Sequence, residues 1–166
     1  MQSVRQLLDQ FFEVKKSLQK CGVIRSERFT GDLGEWLVAT AYKGRLASSA
    51  TQIGWDVEAT IVGNNFKLQV KTHAKGKNNN ARWSAIKKES LERELFDYLI
   101  IVVMSDDYFI QDWFEIPRSS LKNILVQSGN SWIVRWDSIE SYRANWKGLP
   151  GAAAILEFES KRTTAT

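Results

Sequence analysis

The sequence predicts a protein of the α/β or α+β class, built around a mixed β-sheet. Two segments with helical periodicity come first, a β-hairpin pattern follows, and a nearly continuous apolar run lies downstream. The chain has 166 residues, 43% hydrophobic and 25% charged, which is the composition of one ordinary globular domain. A single cysteine, Cys21, excludes an internal disulfide and a cysteine-rich zinc site. With no apolar run of membrane-spanning length either, we expect a cytoplasmic protein and no membrane partner.

Two helices are predicted before the first strand. Residues 3–20 carry apolar side chains at helical spacing, and Gly22 is a suitable stop. The second helix is expected to start near Thr30 or Asp32, which are favourable N-cap residues, and to run to Gly44. The segment that follows Gly44 is short and ambiguous, and an edge strand is one interpretation of it.

The strongest local pattern is a hairpin formed by residues 55–62 and 66–72. Alternation places one polar set of side chains on one face of the sheet and the apolar sets on the other. A two-residue turn at Gly63-Asn64 would pair Glu58 with Gln69 and Asp56 with Lys71, whereas a turn one residue later shifts the partners by two. Both turns keep the acids, the amide and the lysine on one face. The polar set is Asp56, Glu58, Lys67, Gln69 and Lys71.

The remaining elements follow from similar patterns. The run at residues 96–104 is expected to be a central strand that is covered on both faces. Pro117 is expected to open a short helix. We expect helices at 84–95, 118–128 and 137–146, strands at 108–116 and 131–136, and a polar loop at 73–83, with 152–160 left unassigned.

A basic segment lies beside the hairpin. From Lys67 to Lys88 the chain carries only basic charges, and the loop adds three consecutive asparagines and Trp83. Such a segment suits contact with phosphate groups, although an ordinary solvated loop has the same composition. The predicted nucleic-acid contacts are Lys75, Lys77, Asn79, Arg82, Lys87 and Lys88.

The hairpin acids have a simpler explanation as solvent-facing partners of cross-strand ion pairs. Glu35, early in the second helix, could likewise be an acid that interacts with the helix dipole. Their combination favours a different interpretation. Asp56, then Gln69-Val70-Lys71, supplies oxygen ligands for a hard divalent cation and a lysine near an attacking water.

These residues resemble the PD-(D/E)xK nuclease superfamily, which has the restriction-endonuclease-like fold. The resemblance is carried by Glu35 in "GDLGEWLVA", Asp56 in "GWDVEA", and Gln69 with Lys71 in "LQVKT", and it extends from about residue 30 to 104. It implies one nuclease-like α/β domain over 1–166, with a central mixed sheet flanked by helices in the order αβββαβ. Residues 1–25 would then be an N-terminal helical extension, and 160–166 a disordered tail.

The resemblance also implies an activity, the metal-dependent hydrolysis of DNA phosphodiester bonds in restriction, defence or mobile-element biology. Mg²⁺ or Mn²⁺ would be held by Asp56, Gln69 and Glu35, with Glu58 as a further candidate ligand, and Lys71 would orient the attacking water. Gln69 departs from the usual acid, and an amide oxygen contributes no negative charge to a metal site.

The implied partner is double-stranded DNA, and the protein would act as a homodimer or as a subunit of a larger restriction-type system. Two alternatives remain open at this point. The first is an inactive nuclease-fold module that binds nucleic acid or a protein, and the second is an unrelated α+β binding protein.

Overall fold

Two β-sheets and five α-helices make up the part of the chain that the computed structural model describes, namely residues 4–25, 29–49, 54–74, 85–105 and 108–160. The helices are α1 (Val4–Lys20), α2 (Phe29–Ala41), α3 (Lys88–Glu92), α4 (Arg118–Leu121) and α5 (Ala152–Ser160). The strands are β1 (Arg45–Leu46), β2 (Val57–Ile61), β3 (Asn64–Ala74), β4 (Ile86–Lys87), β5 (Tyr98–Met104), β6 (Ile110–Pro117), β7 (Leu125–Ser128) and β8 (Ser131–Val134).

The larger sheet is mixed and has five strands in the order β1-β2-β3-β5-β6. Strands β3 and β5 are parallel, and the other neighbouring pairs are antiparallel. β5 is almost entirely buried, as its apolar sequence predicts, because it lies inside the sheet and is covered on both faces. The smaller sheet is antiparallel, with the order β4-β8-β7.

Each face of the larger sheet has its own hydrophobic core. On one face, Leu37 of α2 and Ile155 of α5 pack with Val70 and Val102. The core on the other face joins the larger sheet to the smaller sheet and α4, and its members include Ile86, Leu99, Ile101, Phe114, Leu121 and Val134. The molecule is therefore a mixed α/β structure in which helices flank a multi-stranded mixed sheet.

The hairpin forms where the sequence predicts it, but the predicted turn is wrong. The turn residues are Val62 and Gly63, with φ values of 49° and 80°, and Glu58 lies opposite Lys67 instead of Gln69. In this register the side chains of Thr60 and Asn65 lie opposite one another and share a hydrogen bond of 2.7 Å. The register differs from the predicted one by two residues, so the polar and apolar faces are those expected.

Three downstream helix predictions need correction. Residues 84–95 contain strand β4 before the five-residue helix α3, because Ile86 pairs with Trp132 and is buried in the second core. Residues 125–128 form β7, which pairs with β8 around Gly129. The third prediction, 137–146, contains short 3-10 turns in place of a helix. In each case pairing or packing with a distant segment overrides the local helical pattern.

Two further segments also differ from expectation. β3 continues to Ala74, into the segment predicted to be a loop, because it pairs with β5 as far as Met104. α5 occupies 152–160, so Ser160 is helical and not the start of a tail, and 161–166 lie outside the described residues.

The N-terminal helix is confirmed as α1, and Gly22 follows it with a φ of 73°. Within the described ranges, no helix is both long enough and apolar enough to span a bilayer.

Candidate active site

Asp56 is held between two strands immediately before β2. Its backbone N–H donates to the carbonyl of Leu68 at 2.9 Å, and its own carbonyl accepts from Ala47 at 2.8 Å. Its side-chain Oδ2 accepts a hydrogen bond from the backbone N–H of Val70 at 2.7 Å. The main chain of β3 therefore fixes the position of this carboxylate.

Gln69 lies beside Asp56 and is buried, with 8% of its surface exposed. Its Nε2 donates to the same Oδ2 atom that accepts from Val70. The predicted register places Lys71 opposite Asp56, but the observed contact is made by Gln69, as the two-residue shift requires. Because the amide nitrogen faces Asp56, the carbonyl oxygen of Gln69 is the atom of this side chain that could bind a cation.

Glu35 is brought to the site by a close approach of α2 to β3. The preceding residue, Gly34, lies so near Thr72 that a β-carbon at position 34 would be 1.8 Å from the Thr72 hydroxyl oxygen. A residue larger than glycine would push the helix away from the sheet. The Glu35 side chain is 18% exposed and forms an ion pair with Arg25.

Arg25 completes this ion pair and was not among the residues predicted from sequence. Its Nη1 donates to the carbonyl of Ala47 at 2.7 Å, and its backbone N–H donates to the Asp32 carboxylate at 2.6 Å. Only a general argument from the sequence points to Arg25 as the partner of Glu35. A buried acid such as Glu35 requires a partner, and basic residues precede the helix.

The carboxyl groups of Glu35 and Asp56 lie close enough to repel one another. Burial raises the pKa of Glu35 from 4.5 to about 7, Asp56 acts in the same direction, and Arg25 opposes both. Burial also raises the pKa of Asp56, while the Val70 amide, Lys71 and Arg25 act to lower it. The two acids thus form one electrostatic unit.

Lys71 belongs to the same cluster. It lies two residues beyond Gln69 on β3, so both point to the same face, and its charge acts on the pKa of Asp56. Its side chain is half-buried. The structure therefore brings together four of the predicted residues, Glu35, Asp56, Gln69 and Lys71.

The other predicted residues lie elsewhere or outside the described ranges. Glu58 accepts from Arg45 Nε at 2.7 Å and lines a cleft with Arg45 and Lys67, to which Asp56 and Glu35 do not contribute. Lys87 and Lys88 are exposed, and Lys88 pairs with Glu92 at 3.5 Å. The predicted contacts Lys75, Lys77, Asn79 and Arg82 fall outside the residues that the structure describes.

The residues at this site are suitable for a divalent cation. Two carboxylates and one amide oxygen are the hard donors that Mg²⁺ and Mn²⁺ prefer. Burial and mutual repulsion raise the pKa of Glu35, and a bound cation would relieve both effects. Among the described residues, no three His, Cys, Asp or Glu side chains cluster as metal ligands, so the set depends on Gln69 as the third donor.

No family model matches the chain, and no curated protein matches it. Among solved structures, the chain is similar to a bacterial homing endonuclease, I-Ssp6803I, with a TM-score of 0.42 and 12% sequence identity. The match covers 86% of this chain and 100% of the other. A similarity this low assigns neither a fold family nor an activity, so the function proposed below depends on the site residues.

Proposed function

We propose that this protein is a metal-dependent nuclease of the PD-(D/E)xK type that hydrolyses DNA phosphodiester bonds. The proposal rests on one observation. Glu35 of α2 lies close enough to Asp56 for the two acids to interact electrostatically, and Gln69 and Lys71 of β3 act on the same Asp56 carboxylate. Two half-buried acids that repel one another destabilise the folded state, and separating them would lower its free energy. A sheet surface with no function would therefore not be expected to hold them together.

Asp56, the Gln69 carbonyl oxygen and Glu35, either directly or through water, would hold Mg²⁺ or Mn²⁺. When bound, the cation would lower the pKa of a water molecule and offset negative charge on the phosphoryl oxygens. Asp56 supplies the most rigidly placed ligand, since the Val70 amide fixes its carboxylate. Gln69 orients Asp56 through its amide nitrogen while it presents its carbonyl oxygen.

Lys71 would act on the attacking water and on the phosphate. Its ammonium group shares the face of Gln69 and adds positive charge beside Asp56. In this position it can orient the water, help to remove its proton, and stabilise the negative charge of the transition state.

The proposed substrate is double-stranded DNA. Lys87 and Lys88 are exposed and follow the predicted loop in the sequence, so we include them among the proposed phosphate contacts. Contacts of this kind bind the phosphate backbone without reading the base sequence. We include Lys75, Lys77, Asn79 and Arg82 in the proposed surface on their sequence pattern alone. Action in restriction, defence or mobile-element biology, as a homodimer or as a subunit, is part of the same proposal.

The test is cleavage of plasmid DNA in Mg²⁺ or Mn²⁺ by the wild type and by Asp56→Asn and Lys71→Ala. Both changes should lower the cleavage rate by on the order of 10³, because each removes a group that acts in the transition state. Lys67→Ala is the matched control, since Lys67 lies on the same strand and face but stacks over Trp55. Unchanged cleavage by both site variants would show that the assignment is wrong.

A second candidate, a nucleic-acid or protein-binding module without catalysis, is favoured by two observations. Gln69 supplies no charge, and the Glu35 carboxylate is already paired with Arg25. A binding module would retain DNA in a salt-dependent manner but release no cleaved product in any divalent metal. The same plasmid assay, combined with a binding titration at two salt concentrations, separates the two functions.

A further inference from the structure

Arg25 is held against the acid pair by several contacts. Its guanidinium forms the ion pair with Glu35 and donates to the Ala47 carbonyl at 2.7 Å. Its backbone N–H is anchored to the buried Asp32 at 2.6 Å. The side chain is 19% exposed, which makes it a partly desolvated cation in a defined position. A surface arginine paired by chance would have neither the anchor nor the burial.

Two cations already lie beside the acids of this site. Glu35, Asp56 and the buried Asp32 are the acids, and Arg25 and Lys71 are the cations. Gln69 adds no charge, whereas an acid at this position would add one more negative charge. A divalent cation that binds Glu35 must therefore compete with the guanidinium, because it would lie next to the positive charges of Arg25 and Lys71 in a half-buried cluster.

We propose that Arg25 is the resident counter-ion of the acid pair, a positioning residue that holds Glu35 in the metal-free protein and releases it when a divalent cation binds. This inference rests on the proposed function. It assigns Arg25 a role in lowering metal affinity, so that the cation binds weakly until the Glu35–Arg25 pair opens. A purely structural arginine would have the opposite effect on metal binding, since its removal would disorder the ligands.

The first experiment measures Mn²⁺ binding by electron paramagnetic resonance in the wild type, Arg25→Gln and Arg25→Lys. We expect the dissociation constant of Arg25→Gln to fall by roughly tenfold or more, because a positive charge next to the cation has been removed. Arg25→Lys keeps the positive charge next to the cation and should therefore remain within about threefold of the wild type. Weaker or equal binding by Arg25→Gln overturns the inference.

The second experiment uses the wild-type protein and therefore does not depend on the folding of a variant. The guanidinium Nη resonances of Arg25 are followed by NMR while Mg²⁺ is added. Loss of the Glu35 pair should shift these resonances in step with metal occupancy, whereas resonances that stay constant at saturating Mg²⁺ would contradict the proposal.

The outcomes also separate this inference from the proposed function. Mn²⁺ binding that is unaffected by Arg25 removes the counter-ion role but leaves the nuclease proposal intact. The absence of Mn²⁺ binding in the wild type and in both variants, with or without DNA, removes both.

Discussion

Asp56 shows how main-chain geometry can position a reactive side chain. Its carboxylate accepts from the Val70 amide, and its backbone bonds to Leu68, so β3 fixes both ends of the residue. Moving Asp56 would require moving β3, whose Leu68 and Val70 are buried in the core beneath α2. This rigidity suits a metal ligand, since small displacements of such a group are costly for function.

At the residue scale, the raised pKa of Glu35 predicts how the stability of the protein depends on pH. The pKa of Glu35 in the folded protein is about 7, against an ordinary value of 4.5. The folded state therefore holds the proton more tightly than the unfolded state, and stability is lost as the pH rises from about 4.5 to about 7. Glu35→Gln removes this titration, so in EDTA the stability of the wild type relative to the variant should fall by up to about 3 kcal/mol across that range.

Urea unfolding at several pH values, followed by circular dichroism, checks this prediction. Glu58→Gln is the control, since Glu58 lies on the same sheet but pairs with Arg45 outside the cluster. A difference between the wild type and Glu35→Gln that stays constant with pH would mean that Glu35 titrates normally. The burial and repulsion described above would then be incorrect.

At the same scale, the sequence predicted some residues of the site and missed one. Strand alternation was sufficient to bring Asp56, Gln69 and Lys71 to one face, because the face does not depend on the turn that is chosen. Arg25 could not be predicted in this way. It precedes α2, and its distance from Glu35 depends on how that segment returns to the helix, which no local pattern encodes.

At the scale of elements, the close packing of α2 on β3 determines where Glu35 lies. Gly34 permits this packing because it has no side chain facing Thr72. Gly34→Ala should lower the free energy of unfolding by about 1–3 kcal/mol, the usual cost of overpacking, and should weaken Mn²⁺ binding because Glu35 moves with the helix. Urea unfolding and the Mn²⁺ titration measure the two effects.

Gly148→Ala is the control for this change, since the space around Gly148 is open and the substitution should be nearly neutral. Adding Thr72→Ala to Gly34→Ala should recover part of the lost stability, because it removes the hydroxyl and methyl groups that the new side chain meets. Independent, additive effects of the two changes would argue against direct packing between these positions.

Elements with a long periodic or apolar sequence pattern could be predicted, whereas the short strands could not. α1, β5 and β6 were expected from periodicity or from a continuous apolar run. β4 and β7 are short strands that exist because they pair with β8, and their sequences alone resemble parts of helices. The hairpin turn was misplaced for a related reason, since Val62 adopts a positive φ that β-branched residues rarely take.

At the scale of the whole molecule, two cores hold the central sheet from opposite sides. α2 and α5 cover one face, and the small sheet with α4 covers the other. The candidate ligands come from α2, from the residue before β2 and from β3, so they come together only when the larger sheet and its helical layer are both assembled. The site is therefore a property of the complete fold and not of the hairpin alone.

The proposed nuclease requires that these oxygen donors bind one divalent cation. A crystal soaked in saturating Mn²⁺, with anomalous difference density sought between Glu35, Asp56 and Gln69, tests this requirement. We predict a peak about 2.0–2.6 Å from an Asp56 carboxylate oxygen, with Glu35 turned away from Arg25. Side chains that keep their metal-free positions, with no anomalous peak among them, would contradict it.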